Sequence, residues 1–419
     1  MIKYDTFRLG NGLRVVHNYD DSTAMVAVNL LYDTGARDER DDLTGLAHLM
    51  EHLMFAGSEN APDFDAVVEK AGGTDNAWTS ADFTNFHEVA PAVNFETLIF
   101  LEADRMSRLS LTQENLDVQR GVVIEEFKQT HLSRPYGDSE HHLRPMLFTR
   151  HPYAHPTIGS TIEHIERTTL DDILDFYRRR YAPDNAVLAV SGHVTLAEVR
   201  RAVERWFGPI ERVGVAPRTH AQEPPVSEPR RKVVRGRVPH ARLTVAFPMG
   251  GYAEPGYREA DLLTDVLASG KASRFYRRLV MGSELFITAD ASIMGSEEPG
   301  HLMLRAELTD ASDEAVERAL AMLVDEASRL CHAASEEHPD GLTEHELRRA
   351  KNRHASQTAF SLVSCADRAL ALAMAEMHGE DINRNEELFE VLTVGDVTRA
   401  AREIIRPERA STLVYLPEA

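Results

Sequence analysis

The sequence predicts an α+β protein built as two tandem homologous domains, each a mostly antiparallel β-sheet flanked by helices. Three observations predict it. At 419 residues the chain is too long for one compact core and suits two or three. The segment "GVAPRTHAQEPPVSEPRRK", residues 214–232, is rich in proline and charge, lacks apolar periodicity and divides the chain almost in half. The two halves also share a degenerate pattern of strand, turn and helix. The expected domains are 1–213 and 233–419, with 214–232 as the linker.

Taken in order, the first half opens at "MIKYDTFRLGNGLRVV", which enters a strand at once and has no apolar signal segment. The β-rich run "TAMVAVNLLYDTGA" follows, then a helix ending at Gly57. In the second half "HARLTVAFPMGGYAEPGYREADLLTDVLASG" repeats strand, turn and helix, ending at Gly270. The halves close alike. "LDDILDFYRRRYAPDNAVLAVSG" runs helix, Pro183, strand, and "LTVGDVTRAAREIIRPERASTLVYL" runs helix, Pro407, strand. Shifting Gly57 onto Gly270 places His48, Glu51 and His52 on Asp261, Thr264 and Asp265. Whatever the first helix does, the second does not repeat.

Composition excludes some functions. The net charge of −21 argues against nucleic-acid binding, which needs a basic face. It suits plain solubility, or basic peptide partners if the acid lines a cavity. The chain is 43% hydrophobic, enough for large cores, yet no apolar run is long enough to span a membrane. The expected compartment is the cytoplasm, or the periplasm if a leader has been removed. Cys331 and Cys365 form no disulfide framework and no C-x-x-C pair.

Chemistry concentrates in "GLAHLMEHLMFAGSEN", residues 45–60. At about 100° per residue, His48 and His52 lie about 40° apart around a helix and Glu51 about 60° to the other side. All three share one face. Two imidazoles one turn apart hold one metal, and the neighbouring carboxylate serves as base, in the His-x-x-Glu-His order of inverted zincins. Leu46, Ala47, Leu49, Met50, Leu53, Met54 and Phe55 cover most of the helix and dry the face, which suits zinc bound by neutral imidazoles. A hydrolytic zinc needs a third protein ligand and one open position. The helix "QENLDVQRGVVIEEFKQTHL", residues 113–132, offers Glu125 and Glu126, and spacing does not choose between them. His151 and His155 in "RHPYAHP" are four apart, but Pro152 and Pro156 argue against a helix. These, and Glu140 to His142, are expected to be structural or exposed.

"HLMEH", followed by "GGTDNAWTSADFTNF", "LEADRMSRL", "QRGVVIEEF", "HPYAHPTIG" and "YAPDNAVLAVSG", resembles the pitrilysin and mitochondrial processing peptidase family of zinc endopeptidases. The resemblance spans nearly the whole chain, and its size is similar to that of the short two-domain branch. It implies the LuxS/mitochondrial-processing-peptidase-like metallohydrolase fold. It also implies Zn²⁺ held by His48, His52 and Glu126, with Glu51 as catalytic base. Gln119 stands where the family often has a glutamate, two turns before Glu126; it supports the ligands by hydrogen bonding without adding charge. "GGTDNAWTS" resembles the family's edge strand, which takes substrate as an added strand, with Asn76 and Ala77 as the contact residues.

One departure is larger. Active relatives carry an arginine and a tyrosine in the second domain that hold substrate and stabilise the oxyanion. In "SRFYRRLVMGSELFITADAS" Phe286 stands at the tyrosine position and Leu279 at the arginine position, with Arg278 one place out of register. The resemblance thus implies an endopeptidase of unfolded peptides that works as the zinc-bearing subunit of a heterodimer. A homologous subunit would supply the Arg/Tyr pair; a homodimer is disfavoured. The other class is a non-catalytic scaffold or assembly subunit. A narrower version of the first is processing of a dedicated precursor peptide.

Overall fold

The computed structural model describes residues 1–418. Six strands form the first sheet: β1 (Asp5–Arg8), β2 (Arg14–Tyr19), β3 (Met25–Tyr32), β4 (Thr74–Thr79), β5 (Thr84–Pro91) and β6 (Ala186–Gly192). Their order is β1-β2-β6-β3-β5-β4. Five form the second: β7 (Arg230–Gly236), β8 (Ala241–Met249), β9 (Phe286–Met294), β10 (Gly300–Leu308) and β11 (Ser411–Pro417), in the order β7-β11-β8-β10-β9. With β1 set aside, the two sheets share one topology. The opening strand of each half pairs in parallel with its closing strand, β2 with β6 and β7 with β11, and every other neighbour is antiparallel. The repeat read from the sequence is a repeat of topology, and the α+β expectation holds.

The chain folds as two units that are not contiguous in sequence. The first comprises residues 1–128, 155–220 and 359–385; the second comprises 129–154, 221–358 and 386–419. A helix from the second half, Cys365–His378, therefore belongs to the first unit. It buries Ala369, Leu372 and Ala373 against Val16, Ala27, Leu31, Val187 and Ala189. Conversely, the helix Ser139–Leu147 from the first half packs beside β11 in the second unit. This explains the near-continuous apolar reading of β3 and β6. Both faces of the first sheet are covered, so neither strand shows polar alternation.

The other face of the first sheet carries the helices Leu46–Leu53 and Phe95–Arg108. The "LEADRM" segment of the latter supplies a wholly buried cation. Arg105 bonds Glu102 through Nε at 2.9 Å and Glu88 on β5 through Nη2 at 3.0 Å. Its guanidinium lies 4.2 to 5.4 Å from the ring centroids of Phe86, Phe64 and Phe55. Burial, and the neighbouring Glu102, push the Glu88 carboxyl well above its usual range. A buried triad of this kind fixes β5 to the helix, and removing one member leaves uncompensated charge.

Candidate metal centre and edge strand

Two helices and one strand of the first unit build the site. The histidine helix, Leu46–Leu53, turns Leu46, Ala47, Leu49, Met50 and Leu53 into the core and leaves His48, Glu51 and His52 half-buried on the remaining face. The glutamate helix, Gln113–Phe127, starts at Thr112, whose hydroxyl accepts from the Asn115 amide, and runs on as one π-turn over Lys128–Leu132. Glu126 near its end faces the histidines. Its Oε2 lies 3.8 Å from His48 Nε2 and 3.4 Å from His52 Nε2. Among the described residues these three form the one cluster of His, Cys, Asp or Glu donors close enough to share an ion, with ligand atoms within 4.8 Å of one another. Ligands at zinc's bond lengths of about 2.0–2.1 Å stand about 3.3 Å apart on a tetrahedron's edge. The donor set and its spacing therefore fit zinc.

Of the two glutamates that the sequence left open, Glu125 turns to solvent and binds Lys128 Nζ at 2.6 Å. Gln119, two turns before Glu126, hydrogen-bonds the His52 ring. Burial lowers the His52 pKa, but Glu126, Glu51 and Gln119 outweigh it and hold the value above the ordinary histidine range. Glu51 is raised above the ordinary glutamate range by burial, opposed by a hydrogen bond from Thr79.

That bond joins the helix to β4. Thr79 Oγ1 donates to Glu51 Oε2 at 2.5 Å. Among the described residues β4 pairs only with β5, which makes it an edge strand, the kind of strand that can template an added one. Alternation puts Ala77 and Thr79 on the face toward the histidine helix, and Asn76 and Trp78 on the other. Ala77 packs against the core beneath that helix, while Trp78 packs beside the Cys365–His378 helix. Asn76 is exposed, and its Oδ1 accepts from the Ala77 amide at 2.8 Å. On an antiparallel edge only alternate residues turn their backbone groups outward, so Asn76 and Ala77 do not offer their backbone edge together, and the Ala77 amide is already held by Asn76. Thr79 went unread in the sequence, because one threonine in a strand carries no signal of what it will face.

The "HPYAHPTIG" segment, read as structural or exposed, is buried. His151 and His155 are 2% and 7% exposed. Its last glycine packs against the entry to the histidine helix. Gly45 sits at φ +90° and a Cβ there would lie 2.6 Å from the Ile158 carbonyl oxygen; Gly159, at φ +103°, would meet the Thr44 carbonyl oxygen at 2.7 Å. Only glycine fits either position. Glu140, in the helix Ser139–Leu147, binds Arg144 at 2.8 Å.

Among the described residues the second unit carries no counterpart cluster. On its helix Tyr257–Ala268, Asp265 lies 3.3 Å from Arg353 Nε and Asp261 lies 3.7 Å from His354 Nδ1. Leu279 is buried, and Phe286 at the head of β9 is 4% exposed with its ring in the core, whereas Ile287 beside it is 36% exposed. Arg278 is committed to Glu326 at 3.2 Å and Asp340 at 3.0 Å.

Residues 14–160 match the family described as insulinase, peptidase family M16, and residues 167–354 match the peptidase M16 inactive domain. This chain belongs to peptidase family M16. An M16 member is thus legible in both halves, and the "inactive" description attaches to the half that holds none of His48, Glu51, His52 and Glu126. The zinc protease PqqE of Helicobacter pylori is 26% identical over 428 residues, covering 99% of this chain and 93% of that one. Mitochondrial-processing peptidase subunit beta of Saccharomyces cerevisiae is 26% identical over 206 residues, 48% of this chain and 45% of that one. The crystal structure of a protease from Helicobacter pylori matches over the full length of both chains, with a TM-score of 0.91 and 25% identity.

Proposed function

We propose that this M16 chain is the zinc-bearing subunit of an endopeptidase that cuts unfolded peptides inside an enclosed chamber. The observation that carries the reading is the convergence of His48, His52 and Glu126 at zinc-ligand spacing, with Glu51 on the same helix between the two histidines and electrostatically coupled to His52 and Glu126. Zinc held there supplies Lewis acidity to the scissile carbonyl and to the attacking water. Glu51 takes the proton from that water and returns it to the leaving amine. Thr79 holds the Glu51 carboxylate in one orientation. The open edge of β4 accepts the peptide backbone as an added strand, so recognition favours extended chains over particular side chains.

The oxyanion donors come from another chain in this reading. Leu279 and Phe286 are core residues and Arg278 is taken by two carboxylates, so these three positions supply no such donor. Losing such donors costs about a hundredfold or more in rate. The subunit beta relative is by name one part of a larger enzyme, which supports a paired arrangement here. The same core positions favour one second reading, a non-catalytic subunit. Zinc content together with Glu51→Gln decides between them. The peptidase reading expects about one zinc per chain. It also expects a Glu51→Gln variant that keeps the metal and loses cleavage of a quenched peptide in the presence of the partner. A chain purified without zinc, and unable to take it up, would leave the non-catalytic reading standing.

A further inference from the structure

Glu39 lies six residues before Gly45, the cap of the histidine helix, and its side chain is wholly buried. Its Oε2 accepts from the Gly45 amide at 2.8 Å and its Oε1 from the Ala47 amide at 2.7 Å, with the Leu46 amide also bonded to it. These amides open a helix, where no intrahelical carbonyl is available to them. The usual answer is a serine, threonine or aspartate at the cap position itself. That answer is closed here. The cap position is Gly45, with φ +90°, and a Cβ on it would strike the Ile158 carbonyl oxygen. The capping carboxylate has moved to a residue upstream. Burial pushes the Glu39 carboxyl well above its usual range, and the amide hydrogen bonds from Ala47, Gly45 and Leu46 oppose that shift.

The helix has only eight residues, about two turns. It has little length of its own with which to fix its rotation, and both histidines and Glu51 ride on it. A rotation by one residue, about 100°, would carry His48 and His52 off the line to Glu126. Glu39 also touches a motif that the proposed chemistry leaves unused. His155 of "HPYAHPTIG" sets its Nδ1 3.6 Å from Glu39 Oε2, and the Gly45–Gly159 contact lies at the same end of the helix.

We infer that Glu39 is a positioning residue for the metal centre. It acts through the backbone amides of Gly45, Leu46 and Ala47, and fixes the rotation at which His48 Nε2 and His52 Nε2 face Glu126. It touches neither metal nor substrate. The inference rests on the zinc reading above.

The test uses the full chain with Glu39→Gln and Glu39→Ala. Zinc affinity is measured by competition against a chelator, and ligand geometry by the visible absorption of the cobalt(II)-loaded protein. Circular dichroism and thermal unfolding report the fold. Glu39→Gln keeps the length and shape of the side chain but sets an NH₂ group against an amide N–H. Zinc affinity in a folded Glu39→Gln protein is expected to fall about tenfold or more, the scale seen when a group supporting a ligand is lost. The cobalt band should shift. Glu39→Ala should fall further. A folded Glu39→Gln protein with wild-type zinc affinity and an unchanged cobalt band overturns the inference, as does collapse of the fold in both variants. A wild-type chain that binds neither metal overturns the zinc reading and this inference with it. Zinc binding that is equal in wild type and Glu39→Gln overturns this inference alone.

Discussion

Thr79 on the edge strand donates a 2.5 Å hydrogen bond to Glu51 on the histidine helix. The bond links the strand that would receive a peptide to the carboxylate that would move its protons. Thr79→Val removes the hydroxyl at nearly constant shape. The expected result is a fall of about tenfold in kcat with little change in KM, because a wandering base weakens the transition state and leaves backbone docking intact. Zinc content should be unchanged. A variant that loses KM and keeps kcat would place Thr79 in substrate binding instead.

The neighbouring glutamates part company in space. Glu126 faces His48 and His52, and Glu125 faces Lys128. Glu126→Gln should lower zinc affinity at least tenfold and abolish cleavage, since a ligating charge is lost. Glu125→Gln breaks one surface ion pair, worth about 0–1 kcal/mol, and should leave zinc and turnover alone. Zinc retention after dialysis against a weak chelator separates the two. Equal retention in both variants would remove Glu126 from the ligand set.

How much of this was legible in the sequence follows from the range over which each signal acts. His48, Glu51 and His52 are set by one helix, so a four-residue spacing shows their shared face. The choice between Glu125 and Glu126 depends on how a second helix is rotated, which periodicity within that helix does not fix. Thr79 acts across a long connection through one hydrogen bond, and Glu39 acts across an irregular one through backbone amides, so neither leaves a pattern. The exchanged helices were hidden for the same reason. Cys365–His378 is amphipathic in any context, and nothing local says which sheet it covers. "HPYAHPTIG" kept its register against Gly45 through carbonyl contacts that only backbone geometry reveals.

Phe286 lies inside the second unit's core, so restoring a tyrosine there should not restore an oxyanion donor. Phe286→Tyr buries a hydroxyl without a built partner and should cost about 1–3 kcal/mol of stability, with no gain in peptide cleavage by this chain alone. Mixing the wild-type chain with a homologous subunit that carries the Arg/Tyr pair should raise cleavage about a hundredfold or more over either chain alone. The assay is one quenched peptide with each chain and with the mixture. Full activity in the isolated wild-type chain would end the shared-site reading.

His301 on β10 is 3% exposed, and neither ring nitrogen has a hydrogen-bond partner. Burial, and then the nearby Arg144, lower its pKa to about 3. The ordinary value is about 6.5, so the unfolded chain takes up the proton first as pH falls. The stability that comes from a neutral His301 is therefore whole above about pH 6.5 and declines steadily toward pH 3. The decline is at most about 1.4 kcal/mol for each pH unit. His301→Phe keeps an aromatic ring beside Phe148, whose centroid is 6.3 Å away, and cannot be protonated. Urea unfolding at pH 7 and pH 5 should show a smaller loss of midpoint in this variant than in the wild type. The same loss in both proteins would mean that His301 does not set the acid sensitivity of the second unit, and that carboxylates protonating in the same range account for it.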